Sequence, residues 1–157
     1  MTRRHIALFA AAGSAGLLLA ALAFEHLGGM APCPLCIWQR WPHLAAVVAG
    51  GLALAVPGAV VPLMGAGAAL TTAGIGAYHT GVERQWWEGP QACAGPADIG
   101  ALTPEQLLEQ IMAAPVVRCD EVPWEMFGLS MASWNAIASL GLAGLWLWAV
   151  LRRPSAA

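Results

Sequence analysis

The chain has no lysine, a single tyrosine, and only 10% charged residues in a length of 157. An ordinary soluble domain carries roughly 25% charge. Without a basic face it is not a nucleic-acid binder, and so little polarity excludes a disordered chain. No glycine-rich G-x-G-x-x-G follows a strand pattern, so no nucleotide or flavin motif is present. What remains is apolar: 59% hydrophobic, with 8 Trp, 18 Gly and 11 Pro. A globule of this length cannot bury so much apolar surface. The composition is that of an integral membrane protein, read here as one domain over residues 1–157.

A membrane-spanning helix needs about 20 mostly apolar residues. Four runs meet that length, at about 6–27, 37–56, 59–78 and 131–151. Glu25 and His26 interrupt the first near its end, and Gln39, Arg40 and His43 fall in the opening turns of the second. Pro57-Gly58 separates the second from the third. Residues 79–130 form the one long polar loop. Arg3 and Arg4 before the first run, with Ala21-Leu22-Ala23 near its end, also fit a cleaved signal peptide, but the run exceeds the usual apolar region of about 7–15 residues.

Arginine placement orients the chain. Arg3, Arg4, Arg152 and Arg153 flank the outermost runs. The loop holds Arg84 and Arg118 against Glu83, Glu88, Asp98, Glu105, Glu109, Asp120, Glu121 and Glu125. By the positive-inside rule both termini are cytoplasmic, which an even number of spans satisfies. The fold expected is an all-α four-helix transmembrane bundle, with the loop and its cysteines outside, the periplasm in a bacterium. Ala12, Gly16 and Ala20 repeat a small residue every turn, and Gly50-Gly51, Gly65, Gly67, Gly74 and Gly76 continue the theme. This reads either as close helix packing or simply as a composition rich in Ala and Gly. Trp38, Trp41, Trp86, Trp87, Trp124 and Trp134 lie near the outer boundary, as an interfacial belt does. Within the loop, Thr103-Pro104-Glu105-Gln106 reads as a capping box that starts a short amphipathic helix, with Leu107, Leu108, Ile111 and Met112 on one face. It either lies flat on the membrane or packs on the end of the bundle.

Cysteine carries the chemistry. Cys33, Cys36, Cys93 and Cys119 all fall on the outer side, where disulfides persist. Cys33-Pro34-Leu35-Cys36 is a C-x-x-C unit where a short loop enters a helix, and a helix N-terminus favours a thiolate at Cys36. Arg40 lies one turn further along the same face. It supports an anion there or, more plainly, anchors the helix at the interface. A Cys₄ metal site remains open from spacing alone, but Cys93 and Cys119 look more like a loop closed by a disulfide. Two such pairs on one face suggest a relay of thiolates attacking disulfides in turn.

The segments C-P-L-C-I-W-Q-R from Cys33 to Arg40, A-Y-H-T-G-V-E from Ala77 to Glu83, G-P-Q-A-C from Gly89 to Cys93, and R-C-D-E-V-P-W-E-M-F-G-L-S from Arg118 to Ser130 closely resemble the DsbB family. These are disulfide bond formation proteins of the bacterial inner membrane. The resemblance covers nearly the whole chain and implies a protein-disulfide oxidoreductase, of thiol:quinone type. It would reoxidise a DsbA-like thioredoxin-fold partner and pass the electrons to ubiquinone or menaquinone. It implies redox-active disulfides Cys33–Cys36 and Cys93–Cys119, with Cys93 attacked by the partner, Cys33 exchanging with the loop pair, and Cys36 facing the quinone. Arg40 and His79 are implied near the quinone, His79 being equally readable as a boundary histidine bonded to backbone. The loop is somewhat shorter than in the best-known members. Since DsbA stands at about −120 mV, an ordinary disulfide cannot reoxidise it, and a quinone is a suitable sink. The alternatives are a vitamin K epoxide reductase-like enzyme, which orders its cysteine pairs differently, and a non-catalytic metal-binding membrane protein.

Overall fold

The computed structural model describes residues 2–90, 93, 103–113 and 117–152. Four long helices dominate: α1 (Arg3–His26), α2 (Pro34–Ala55), α3 (Val60–Glu83) and α5 (Met131–Leu151), with the short α4 (Pro104–Ala113) in the loop. At 1.5 Å per residue the long helices measure about 32–36 Å, enough for a hydrocarbon core of about 30 Å. By length and apolarity α1, α3 and α5 each suffice to cross a membrane. α2 is as long and runs unbroken through Pro42, but Gln39, Arg40 and His43 make its first half polar.

Local chemistry sets the helix ends. The Thr2 hydroxyl caps α1 by accepting from the His5 N–H, Cys33 caps α2 ahead of Pro34, and the Ser130 hydroxyl caps α5 by accepting from Ser133 N–H. Gly58 at φ 112° makes the break between α2 and α3 that Pro57-Gly58 predicts. The capping box of α4 is formed: Gln106 N–H donates to Thr103 Oγ1 at 3.3 Å, and Thr103 N–H to Gln106 Oε1 at 3.1 Å. Leu108 is exposed, whereas the side chains of Leu107, Ile111 and Met112 lie outside the described residues, and with them most of the expected apolar face.

Each long helix packs on two neighbours, in the order α1–α2–α3–α5 and back to α1. Side chains are small inside and large outside: Ala7, Ala10, Ala49, Ala69 and Ala143 are buried, while Phe9, Leu19, Val60 and Leu151 face out. A water-soluble bundle shows the reverse, and lipid explains the inversion, because close approach rather than apolar burial joins helices there. The indole of Trp146 is the largest group buried in this core among the described residues, seated on Gly65, where an added Cβ would come within 2.5 Å of the ring.

The small-residue expectation holds in part. Gly50, Gly65 and Gly76 stand at crowded helix contacts, while nothing lies near Gly16, Gly51, Gly67 or Gly74. Ala12, Gly16 and Ala20 face outward, and α1 packs instead through Ala7, Ala10, Ala11 and Ser14. A repeat of four matches one helix face as well as another, so spacing alone could not choose between them. A two-stranded hairpin was not anticipated: β1 (Glu125–Met126) pairs with β2 (Leu129–Ser130) through a turn in which Phe127 and Gly128 both have positive φ. Such turns favour Asn-Gly or Asp-Gly, so Phe-Gly gave a poor signal.

Candidate functional site

All four cysteines meet at the end of the bundle where α1 and α3 finish and α2 and α5 begin. Cys33 precedes Pro34, so its side chain becomes the cap of α2: its Sγ accepts from the Cys36 N–H at 3.2 Å. The same sulfur lies 2.9 Å from Cys36 Sγ, and both thiols are free. The bond to Cys36 and then burial hold the Cys33 thiol well above its ordinary pKa. Cys93 and Cys119 are joined in a disulfide. That disulfide packs against Cys33 and Leu35 from α2 and Val82 from α3, with Cys36 at the margin.

From the sequence, Gly89-Pro90 place Cys93 in an exposed stretch, and Asp120 and Glu121 beside Cys119 disfavour an incoming thiolate; the structure changes both readings. Cys93 was expected in an exposed stretch, yet it is 8% exposed against 1% for Cys119, because the disulfide docks on the bundle. Asp120 and Glu121 were expected to repel a thiolate at Cys119. Both are instead ion-paired with Arg118, whose hydrogen bond holds the Asp120 carboxyl below its ordinary pKa.

His79 is not a loop residue. α3 continues past the expected boundary at 78 to Glu83, which buries His79 on the inner face. Its Nδ1 lies 3.0 Å from Gln39 Nε2, and its Nε2 lies 3.6 Å from Cys33 Sγ and 3.9 Å from Glu83 Oε1. Cys33, Cys36 and His79 thus bring two sulfurs and a ring nitrogen within 4.8 Å of one another, the spacing of a possible soft-metal site. Arg40 lies on the Cys36 side of α2, as the spacing predicts, but its Nη1 is bound to Glu25 Oε2 of α1 at 2.5 Å. Its buried Nε has no hydrogen-bond partner among the described residues.

Beside the cysteines opens a cavity of about 350 Å³. Cys36, Arg40, His79 and Glu83 line one side, and Leu17, Leu18 and Phe24 of α1 line the apolar side. Deeper in the bundle a chain of bonded polar groups continues from His79 through Gln39 and Asn135 to His43.

Sequence reasoning missed Glu25, Gln39, Glu83 and Asn135 as members of the site. Glu25 and Asn135 are polar residues inside apolar runs, which is itself a signal of function in a membrane helix. Glu83, assigned to the loop, has a buried side chain that accepts from the Ser130 hydroxyl, tying the end of α3 to the cap of α5. Of the tryptophans, Trp38, Trp41, Trp86 and Trp87 are exposed near this end, whereas Trp124 packs on Phe24 and Trp134 bonds the hairpin at Met126 O.

Comparison with known proteins gives one consistent result. The family described as "Disulfide bond formation protein DsbB" matches residues 3–149. Disulfide bond formation protein B of Stutzerimonas stutzeri is 32% identical over 96% of each chain. Its namesake in Saccharophagus degradans is 32% identical over 96% of this chain and 94% of its own. That of Polaromonas naphthalenivorans is 31% identical over 96% and 93%. No solved structure matches.

Proposed function

The chain belongs to the DsbB family of disulfide bond formation proteins, and from that premise we propose that it reoxidises a DsbA-like thioredoxin-fold partner and delivers the two electrons to a membrane quinone. The observation that carries this reading is the meeting of both cysteine pairs in one buried cluster beside the cavity. Thiolate–disulfide exchange needs sulfurs that can reach one another.

In this reading a partner thiolate attacks Cys93 Sγ, the Cys93–Cys119 bond breaks, and the partner's second thiolate resolves the mixed disulfide. The reduced loop pair then turns on an oxidised C-x-x-C. The Cys119 thiolate attacks Cys33 Sγ and expels Cys36 as a thiolate. Cys93 next attacks Cys119 Sγ, closing the loop disulfide and releasing Cys33. Free Cys33 and Cys36 beside a closed loop disulfide, as found here, is the arrangement that follows this exchange.

The cavity suits a quinone headgroup. Its α1 side is apolar, and the buried Nε of Arg40 has no partner among the described residues, leaving a donor for a carbonyl oxygen. Arg40 and His79 would hold the ring near Cys36, and Glu25 keeps the guanidinium in place. A bound quinone, ubiquinone or menaquinone, supplies a lipid-soluble two-electron acceptor. The arginine asymmetry supports cysteines in the periplasm and termini in the cytoplasm of a bacterial inner membrane, with four crossings.

The test is a turnover assay with purified protein. Reduced DsbA-type partner should be oxidised catalytically only when quinone is added, with no more than about two equivalents, one per disulfide, oxidised when it is omitted. Catalytic turnover without quinone, or none with it, contradicts the proposal.

A further inference from the structure

The tautomer of His79 follows from donors and acceptors alone. A backbone carbonyl only accepts, so the Gln39 side-chain atom 3.1 Å from Leu35 O is the amide nitrogen Nε2. That nitrogen also lies 3.0 Å from His79 Nδ1 and donates to it. The other end of the amide is held as well, since Gln39 Oε1 accepts from Asn135 Nδ2 at 2.7 Å. The orientation of Asn135 is fixed in turn. The Thr72 hydroxyl donates to Gln39 O at 3.1 Å and so must accept from Asn135 Nδ2, also at 3.1 Å. Gly76 leaves room for the amide, because a Cβ there would come within 3.1 Å of Gln39 Oε1.

A neutral His79 with an accepting Nδ1 carries its proton on Nε2, the nitrogen that faces Cys33 Sγ. The lone pair a metal would need is then the one bound to Gln39. We infer that Gln39, braced by Asn135 and Thr72, is a positioning residue that holds His79 as the Nε2–H tautomer, so that an N–H donor faces Cys33 Sγ. This rests on the relay proposed above and names the step it serves. When Cys93 closes the loop disulfide, the Cys93–Cys119 bond forms and the Cys33–Cys119 bond breaks. The electron pair of the broken bond goes to Cys33 Sγ, and no proton moves. Two donors meet that anion, the Cys36 N–H at 3.2 Å and His79 Nε2–H. The neighbouring Cys36 sulfur and burial oppose charge on Cys33, so its donors set how readily it leaves, a better-stabilised thiolate leaving faster, whereas the opposite tautomer would present a lone pair to the same sulfur.

The test uses full-length protein labelled with ¹⁵N at histidine, with Cys33 and Cys36 reduced, at pH 8. The His79 signals are identified by their loss in His79→Phe. Wild type should show a bare Nδ1 and a protonated Nε2, and a protonated Nδ1 there overturns the inference without any variant. Gln39→Glu replaces the donor by an acceptor of the same shape and should protonate Nδ1. An Nδ1 that stays bare in that variant also overturns it.

Exchange between the loop pair and C-x-x-C is followed in the same proteins with both pairs first oxidised, without quinone or partner, by adding one equivalent of a small dithiol and trapping free thiols over time. Where the variant has a bare Nε2, exchange should slow about tenfold, the worth of a hydrogen bond to a charged group. An unchanged rate contradicts the inference. Where the variant keeps both nitrogens protonated, the rate should be retained, and a slowed one contradicts it. If wild type performs no internal exchange, the relay fails while the tautomer assignment stands. If wild type exchanges but Nδ1 is protonated, the inference alone fails.

Discussion

The two halves of the bundle use the same four helices for opposite purposes. The half near the chain termini is packed with alanine around Trp146, and Arg3 seals it by donating to Ala149 O and Val150 O. The half near the cysteines is looser, with a cavity, an ion pair and a bonded chain of polar side chains between the helices. Polar groups are expensive in a membrane interior unless satisfied. Their concentration at one end is what the proposed chemistry calls for, and the tight end holds the helices in register.

That contrast predicts which substitutions stop turnover and which only loosen the fold. The largest effects belong to the cysteines. Cys36→Ser should abolish turnover while the loop pair still accepts electrons once from the partner, read by thiol trapping. Given a partner that keeps only its attacking cysteine, activated as a mixed disulfide with a small thiol, Cys119→Ser should accumulate a Cys93–partner disulfide on non-reducing gels, because the small thiol leaves and no Cys119 thiol remains to displace the partner, and Cys93→Ser should accumulate none. An adduct that persists in Cys93→Ser and vanishes in Cys119→Ser reverses the order.

Next comes the tight half. Gly65→Leu drives a side chain into the Trp146 ring and should cost about 1–3 kcal/mol of stability, the usual penalty of overpacking, seen as a lower Tm in detergent. Gly67→Ala, with open space around it, should change the Tm little. Equal losses at both positions would remove the distinction between packed and unpacked faces.

Arg40→Ala should raise the apparent KM for quinone about tenfold, as loss of one charge-assisted contact does, and slow partner exchange much less. Equal loss in both half-reactions counts against a quinone role. The smallest effect lies outside the bundle, at Asp120. Its carboxyl is held below the ordinary value by Arg118, so the contact contributes above the unfolded pKa of about 3.9. That contribution fades as pH falls through the lower folded value. Asp120→Asn should therefore leave thermal stability at pH 7 almost unchanged, since the pair is exposed and weak.

Much of this was legible in the sequence because lipid imposes a strong pattern. Long apolar runs and the Pro57-Gly58 break gave the four helices, with Met131–Leu151 falling where expected. C-x-x-C followed by Arg40 pointed to the end of the bundle where the four cysteines meet. Burial of His79 was not legible, since α3 stays helical to Glu83, and hydropathy falls off before the helix does. The partner of Arg40 was hidden for another reason: Glu25 looked like a flaw in an apolar run until the fold set α1 beside α2. The network through Gln39 and Asn135 depends on three helices meeting in one register, which no local pattern encodes.

Where a quinone binds tests the contrast between the two halves most directly. A photoreactive quinone should crosslink to the α1 wall at Leu17, Leu18 or Phe24, and unlabelled quinone should compete it away. Peptide mapping of the crosslinked protein reads this. Competable labelling confined to the half around Trp146, with the cavity walls unmodified, would contradict it.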